Sequence, residues 1–263
     1  MQWGELSWPQ IEALDKEKVV VIPTGSCEQH GRHLPVLTDT FLVTEIAARV
    51  EAALGDEAVM LPPLWLGSSG HHGDFAGTLS ISAALYSEVI KSLTRGLLTA
   101  GFRRIFYLHG HGGNEIPTSQ ALADLSTESE AANAAWLAAG CYWNVAADGI
   151  KAQPDLIQEQ LAHACEIETS MLLVVRPELV EMGKAEGAPP AIADRWWHAE
   201  KGGKVMAFRR FNRLTGSGAM GRPEAATAEK GEALLDAVVG DVVAFLRDFR
   251  RWPEAPERHQ RKG

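Results

Sequence analysis

The chain has 263 residues and a formal net charge of −9 at pH 7. That charge argues against a nucleic-acid surface, because phosphate binding requires clustered Lys and Arg side chains. The hydrophobic share of 46% and the charged share of 22% are typical of a soluble globular enzyme. No stretch approaches about eighteen uninterrupted apolar residues, and the N-terminus lacks a basic start followed by an apolar core. We therefore expect neither a membrane span nor a signal peptide.

The predicted elements alternate between strands and helices along most of the chain. Apolar and β-branched runs predict strands at 18–22, 58–61, 104–108 and 134–143. Helical apolar spacing predicts helices at 7–15, 41–54, 83–100 and 116–130, one that runs through 171–175, and a last one at 223–250. Either Asp39 or Thr40 is expected to cap the helix at 41–54, and 183–222 is expected to be an extended loop with a hairpin. This alternation predicts an α/β fold, in which helices cover both faces of a mostly parallel sheet, in one domain of residues 1–263.

The first predicted strand, 18–22, leads into a segment that is rich in imidazole and carboxylate groups. The strand is expected to stop at Pro23, so Glu28 and His30 follow its carboxyl end, where open α/β sheets bind ligands. If Glu28 and His30 lie in extended backbone, their side chains point the same way. Together with Asp39 they suit zinc, manganese or iron. The alternative at this point is a polar loop over the edge of a sheet.

Two further candidate ligands come later in the chain. His111 follows the third predicted strand, and Glu168 lies in the helix that runs through 171–175. With the three residues above, they make five nitrogen and oxygen ligands. Because the two oxygens of Asp39 can bridge two ions, the set predicts a two-metal site, which activates a bridging water and polarises a substrate carbonyl. Hydrolysis is the natural reaction of such a site.

Two polar residues are predicted substrate contacts. Ser69 lies in a glycine-rich loop, 67–77, that also carries His71 and His72. Asn114 begins the helix after the third strand, and it either caps that helix or contacts substrate. Ser69 lacks a G-x-S-x-G context, so we do not expect covalent catalysis, and the absence of glycine-rich phosphate-binding motifs argues against a nucleotide cofactor.

Three cysteines, Cys27, Cys141 and Cys165, stand far apart without CxxC spacing. They form no even disulfide framework, which is typical of a reducing compartment. We therefore predict a cytoplasmic protein without disulfides.

Four segments resemble the signature blocks of the creatininase (creatinine amidohydrolase) family. They are Gly25-Ser-Cys-Glu-Gln-His-Gly-Arg-His-Leu-Pro35 with Thr38-Asp-Thr40 after it, Gly110-His-Gly-Gly-Asn114, His163-Ala-Cys-Glu-Ile-Glu-Thr-Ser170, and Gly221-Arg-Pro-Glu-Ala-Ala-Thr-Ala-Glu-Lys-Gly231. The blocks occur in order over nearly the whole chain. The resemblance implies a three-layer α/β/α fold and two divalent metal ions, zinc with zinc, manganese or iron. It also implies hydrolysis of a non-peptide C–N bond in a small molecule, and a homo-oligomer that is commonly a hexamer.

The resemblance also implies roles for individual residues. Glu28, His30, Asp39 and His111 match metal-ligand positions, with Asp39 as the bridge. His163 matches a catalytic histidine, and an imidazole is suited to pass a proton to the leaving nitrogen because its pKa lies near neutrality.

Glu168 matches a glutamate of the third block, and we take it as the fifth ligand and as a catalytic residue that acts as ligand, base or both. His163 precedes Glu168 by five residues, which is about 140° around a regular helix. The two side chains can reach one site only if the helix starts between them.

Two departures separate the chain from creatininase itself. A Tyr and a metal-binding Glu follow the histidine of the second block there, whereas Gly112 and Gly113 stand here, so Glu168 is predicted to supply the missing ligand. A Trp precedes the catalytic histidine there, where this chain has Glu159. The segment Trp196-Trp197 is the candidate aromatic lid instead.

The predicted substrate is a small cyclic amide or a formamide, of creatinine type, although creatinine itself does not follow. The family also holds formamide hydrolases, peptide-trimming members and a hydrolase of keto-inositols. The alternatives are therefore cleavage of another bond, such as a C–C bond in a cyclic keto-inositol, and a metal-binding scaffold without turnover. His163 beside a full ligand set argues against the scaffold.

Overall fold

Four parallel strands form the central sheet. The computed structural model describes residues 1–158, 160–188, 193, 195–198 and 202–253. The strands are β1 (Val19–Thr24), β2 (Ala58–Met60), β3 (Arg104–His109) and β4 (Trp136–Cys141), in the order β2-β1-β3-β4. A short antiparallel pair, β5 (Trp197–His198) and β6 (Gly202–Gly203), forms the hairpin that was predicted within 183–222.

Helices flank this sheet within the part of the chain that the structure describes. They are α1 (Trp8–Glu12), α2 (Thr38–Leu54), α3 (Ala83–Thr99), α4 (Glu115–Glu128), α5 (Glu130–Asn133), α6 (Tyr142–Val145), α7 (Ala147–Lys151), α8 (Glu166–Val175) and α9 (Ala228–Arg250).

The helices divide between the two faces of the sheet. Val21 of β1 and Phe106 of β3 pack with residues of α2, α8 and α9. Their neighbours Val20 and Ile105 point to the opposite face, where they pack with α3 and α4, because successive strand residues alternate between faces. Each such side chain is almost fully buried and contributes roughly 1.5–3 kcal/mol by leaving water. The three-layer α/β/α architecture is therefore confirmed.

β1 continues past its predicted end. Pro23 and Thr24 pair in register with β3. The Pro23 carbonyl accepts a hydrogen bond from the Leu64 N–H at 3.0 Å, so the nitrogen of Pro23 faces that same side, where β2 has already ended at Met60. Because β2 does not extend that far, the missing N–H of proline removes no hydrogen bond between β1 and β2. The prediction that the strand stops at Pro23 was therefore wrong.

α2 begins earlier than predicted, at Thr38, and Leu37 stands at its N-cap position. The prediction that Asp39 or Thr40 caps this helix was wrong, because both side chains have other partners. The Thr40 hydroxyl donates to the Ser26 carbonyl at 2.9 Å, and the Asp39 carboxylate turns towards two histidines. The first turn of α2 therefore places the Asp39 carboxylate at the edge of the sheet.

Other boundaries differ by a few residues. The helix predicted at 7–15 is confined to α1, and the region 116–130 contains α4 and the start of α5. The last helix starts at Ala228 rather than at 223, because the Thr227 hydroxyl caps it by accepting the Lys230 N–H at 3.3 Å.

The three cysteines form no disulfide with one another, and all three are buried. Among the described residues, no helix combines the length and the apolar character that crossing a membrane requires.

Candidate metal centre

The predicted ligands gather where the sheet topology changes direction. β1 has β2 on one side and β3 on the other, so the crevice at the carboxyl ends of β1 and β3 is the topological switch point, a common ligand site. Glu28 and His30 follow β1, and His111 follows β3. Asp39 joins them from the first turn of α2.

The two carboxylate oxygens of Asp39 face two different histidines. Oδ1 lies 2.9 Å from Nε2 of His30, and Oδ2 lies 3.1 Å from Nδ1 of His111. The Ser26 hydroxyl donates to Oδ2 at 2.7 Å and fixes the carboxylate plane. Asp39 therefore stands between two separate groups of candidate ligands.

Glu28 belongs to the His111 side of this arrangement. Its Oε2 lies 3.2 Å from Nδ1 of His111, and its Oε1 lies 3.3 Å from Nε2 of His72 and 3.7 Å from Nδ1 of His163. Oε2 is buried and, among the described residues, has the His111 ring beside it but no hydrogen bond of good geometry. An orphaned carboxylate oxygen in the protein interior is costly unless a cation meets it.

Glu168 belongs to the His30 side. α8 starts at Glu166, between His163 and Glu168 as predicted, so His163 lies on the preceding loop and Glu168 in the first turn. Ala164 in that loop adopts a φ of 50°, a left-handed conformation that is rare outside glycine. Ligand atoms of His30, His163 and Glu168 lie within 4.8 Å of one another.

Glu166 of the same block has a structural role. Its carboxylate accepts the backbone N–H groups of Ile157 at 3.0 Å and Gln158 at 2.9 Å, and it pairs with Lys230 at 2.7 Å. The side chain is fully buried. The two glutamates of the block therefore differ, since Glu166 anchors α8 while Glu168 faces the site.

Two glycines let the strand-end loops touch the start of α2. A Cβ at Gly25 would lie 2.3 Å from the Thr40 hydroxyl, and a Cβ at Gly110 would lie 2.8 Å from the Asp39 carbonyl. Any larger residue would push the loops away from α2. Glycine at both positions therefore brings Asp39 within reach of the histidines.

Hydrogen bonds also select the nitrogen that each histidine presents to Asp39. Nδ1 of His30 lies 3.2 Å from the Glu28 carbonyl, and Nε2 of His111 lies 3.3 Å from the Ser68 carbonyl. Because carbonyls only accept, these nitrogens carry hydrogens, a tautomer assignment that rests on the network. Nε2 of His30 and Nδ1 of His111 are left as ligand atoms, as in metal sites whose histidines are oriented by a carbonyl.

Burial and charge oppose each other in this cluster. Burial lowers the pKa of His30, but the Asp39 carboxylate outweighs burial and raises that pKa to about 9. Burial also lowers the pKa of His111, but the Glu28 and Asp39 carboxylates outweigh burial and raise that pKa well above its usual value. Burial raises the pKa of Asp39, yet His30 and His111 hold it well below its usual range. The cluster attracts positive charge, and a divalent ion would take the place of these protons.

His163 and Glu168 respond mainly to burial. Burial, aided by repulsion from His30, holds the pKa of His163 well below its usual value, so its imidazole is neutral. Burial raises the pKa of Glu168 to about 7.

The donor set fits a divalent metal. Glu28, Asp39 and Glu168 are buried, and among the described residues none of the three pairs with a Lys or Arg side chain. Buried carboxylates without a fixed cation are unstable. Imidazole and carboxylate ligands together suit zinc, manganese or iron.

Two histidines of the loop after β2 also reach the centre, and the sequence analysis gave them no role. His72 contacts Glu28 at 3.3 Å, and His71 stacks on His111 with ring centroids 5.6 Å apart. β2 lies parallel to β1, so the chain that follows β2 leaves the same edge of the sheet as Glu28 and His30, and this position was the signal for both histidines.

The two predicted substrate contacts are fully buried. The Ser69 hydroxyl lies 3.2 Å from Nε2 of His111. The Asn114 side chain accepts the Ser68 N–H at 3.0 Å and donates to the Gly25 carbonyl at 2.9 Å, without capping α4. Their substrate role stays a prediction, and this geometry favours support of the His111 loop instead.

The metal pocket has a volume of about 250 Å³. Its aromatic walls are Trp143 and Phe211, and the Phe211 ring stacks on His72 with centroids 4.0 Å apart. Trp196-Trp197, the candidate lid, does not contribute to these walls, and Glu159 lies outside the described residues.

A groove of about 1190 Å³ adjoins the metal pocket. The two cavities share His71, Gly112, Gly113 and Phe211. The apolar walls of the groove include Ile116, Pro117, Met206, Phe208 and Leu214. Gly112 and Gly113 therefore lie where the two cavities adjoin.

The protein-family model "Creatininase: Creatinine amidohydrolase" matches residues 4–246 of this chain. The chain belongs to the creatininase family. It is 30% identical over 258 residues to a mycofactocin precursor peptide peptidase of Mycobacterium ulcerans, covering 95% of this chain and 88% of that protein. It is 26% identical over 263 residues to a creatinine amidohydrolase of Pseudomonas putida, covering 93% and 95%.

Solved structures of the creatininase family agree with this assignment. A creatininase mutant of Zn–Zn type matches this chain with a TM-score of 0.78 and 25% identity, covering 94% of this chain and 97% of that one. The relatives are named as hydrolases. This creatininase-family chain is therefore a metal-dependent hydrolase, with a cluster that suits divalent metal.

Proposed function

We propose that this chain holds two divalent ions, zinc with zinc, manganese or iron, and hydrolyses an amide C–N bond. The observation that carries the proposal is Asp39, whose oxygens face His30 at 2.9 Å and His111 at 3.1 Å. A carboxylate that presents one oxygen to each group of ligands would be able to bridge two ions. Glu28 would complete the ligands on the His111 side, and Glu168 those on the His30 side.

Two divalent ions, when bound, lower the pKa of a water and polarise an amide carbonyl. The chain itself supplies the proton transfer through His163. Nδ1 of its neutral imidazole faces Glu28 at 3.7 Å, at the wall of the metal pocket. Nδ1 would therefore take a proton from the attacking water and then deliver it to the departing nitrogen.

The size of the groove supports a peptide as the substrate. Its volume of about 1190 Å³ exceeds the roughly 300–1,000 Å³ that pockets for drug-sized ligands have. Met206, Phe208 and Leu214 offer apolar contacts in the groove that adjoins the metal pocket. A peptide with apolar side chains would lie in the groove with one amide at the metals, which agrees with the relative that is named a peptide peptidase.

A small cyclic amide or a formamide is the second candidate substrate. Trp143 and Phe211 line a metal pocket of only about 250 Å³. A planar ring of creatinine type suits that size and those aromatic walls.

A substrate panel tests the proposal. Metal-loaded protein is given short apolar peptides, creatinine, lactams and formamides, and the released amine is measured. We expect peptide hydrolysis, and we expect Phe208→Ala to raise the KM for peptides several-fold. Trp8→Ala is the control, because Trp8 is 75% exposed on α1 outside the groove.

Turnover of small amides alone, unaffected by Phe208→Ala, would establish the second candidate. A metal-loaded protein that hydrolyses no amide would contradict the proposed function itself.

A further inference from the structure

The Gln29 side chain lies buried between the metal-ligand loop and two histidines, and its orientation is fixed. The Gly31 N–H donates to its Oε1 at 2.9 Å. Its Nε2 donates to the Gly218 carbonyl at 3.0 Å. A reversed amide would place two acceptors against each other at Gly218, so the assignment of oxygen and nitrogen follows from the network.

The Gln29 amide nitrogen has two hydrogens and three close neighbours. Besides the Gly218 carbonyl, Nδ1 of His72 lies at 2.9 Å and Nε2 of His163 lies at 3.0 Å. Nε2 of His163 also lies 2.8 Å from the Gln29 backbone carbonyl, to which it must donate. It cannot accept as well, so the second amide hydrogen goes to Nδ1 of His72.

This assignment fixes the tautomer of His72. Because Nδ1 accepts, the ring hydrogen is on Nε2, which lies 3.3 Å from Oε1 of Glu28. The ring is neutral, because an imidazolium would place a second hydrogen on Nδ1, against the Gln29 amide donor. Glu28 therefore has one oxygen against an N–H donor and the other, Oε2, beside His111.

We propose that Gln29 and His72 are positioning residues that hold Glu28 as a one-oxygen metal ligand. The inference rests on the proposed metal role of Glu28. His72 takes Oε1, which leaves Oε2 for an ion on the His111 side. Partners of this kind around metal ligands typically change metal affinity about 10–100-fold when they are removed.

A direct ligand role for His72 is the competing arrangement. Ligand atoms of Glu28, His72 and His163 lie within 4.8 Å of one another. Coordination through Nε2 of His72 would require a lone pair there, and hence a hydrogen on Nδ1. The Gln29 amide opposes that tautomer because it donates to Nδ1.

Metal affinity of matched variants tests the inference. Zinc dissociation constants are measured by chelator competition for the wild type, His72→Gln, His72→Leu and Gln29→Glu. The glutamine at 72 can place an amide N–H where Nε2–H stands, so we expect affinity within a few-fold of wild type. His72→Leu removes the donor and should weaken zinc binding about 10–100-fold.

Gln29→Glu should weaken zinc binding in the same direction, because a carboxylate draws the ring hydrogen of His72 to Nδ1. His33→Leu is the control for loss of a buried histidine, since His33 bonds to Thr169 instead of a carboxylate. It should leave the affinity unchanged.

The outcomes separate the two proposals. Wild-type protein that binds no zinc would contradict the proposed function. Zinc binding as tight in His72→Leu as in the wild type would overturn only the positioning role. Equal loss in His72→Gln and His72→Leu would identify His72 as a direct ligand. Nitrogen-15 NMR of the metal-free protein must also find the His72 hydrogen on Nε2, and a hydrogen on Nδ1 would overturn the inference.

Discussion

Nε2 of His163 lies 2.8 Å from the backbone carbonyl of Gln29. Because a carbonyl only accepts, Nε2 carries the hydrogen and Nδ1 is the nitrogen that faces the metal pocket. Burial holds the pKa of His163 well below its usual value, so Nδ1 has a free lone pair at neutral pH. This contact therefore orients His163 as a proton carrier instead of a fixed cation.

Removal of the His163 imidazole should separate chemistry from metal binding. We expect His163→Ala to keep its metal content but lose about 10²–10⁴ in kcat, the usual contribution of general acid–base catalysis. Elemental analysis and steady-state kinetics on the same preparation check both quantities. An emptied metal site, or unchanged turnover, would contradict the division of roles between His163 and the ligands.

The two glutamates of the third block form a matched pair for mutation. Glu168→Gln should lose metal and activity together, with little change in fold. Glu166→Gln breaks a buried pair with Lys230 and should lower the free energy of unfolding by roughly 3–5 kcal/mol. Its metal stoichiometry should stay at the wild-type level in the folded fraction. Urea unfolding and metal analysis of both variants make the comparison, and a reversed pattern would exchange the two roles.

Much of the candidate site could be predicted from the positions at which the strands end. Glu28, His30 and His111 follow strands that the apolar pattern predicts, and parallel strands bring their carboxyl ends to one edge. The motif resemblance added His163, and helical geometry predicted that a helix starts before Glu168. These predictions depend on local patterns, which a sequence displays directly.

The rest of the site depends on contacts between distant segments. The Gln29 side chain donates to the carbonyl of Gly218, which is 189 residues later in the sequence. No local sequence pattern indicates that contact. Phe211 reaches the metal pocket from a segment without periodicity, and His72 needs the position of β2 beside β1. Asp39 was predicted as a helix cap because aspartate favours cap positions. α2 starts one residue earlier, however, and the Asp39 carboxylate contacts His30 and His111 instead.

The metal-free protein should lose stability between about pH 7 and pH 9. Asp39, against the opposing effect of burial, raises the pKa of His30 from 6.5 to about 9. The proton stabilises the folded state fully below pH 6.5, and this contribution is lost as the pH rises through the folded pKa of about 9. His111 acts in the same direction. Neutral histidines such as His163 do not compensate, since above pH 7 they are uncharged in both states.

Urea midpoints of chelator-treated protein at pH 7 and pH 9 measure this loss. The metal-loaded protein should not show it, because ions replace the protons, and metal affinity should rise over the same interval. A midpoint of the metal-free protein that rises with pH would contradict the charge assignment at His30.

The metal stoichiometry of the wild type and two single variants tests the bridging role of Asp39 most directly. Equilibrium dialysis against zinc or manganese, followed by elemental analysis, should give two ions per wild-type chain. Asp39→Ala should lose both ions, and His30→Ala should lose mainly one, because the oxygens of Asp39 face His30 and His111 separately. A wild type that saturates at one ion, or an Asp39→Ala variant that keeps two, would contradict the account.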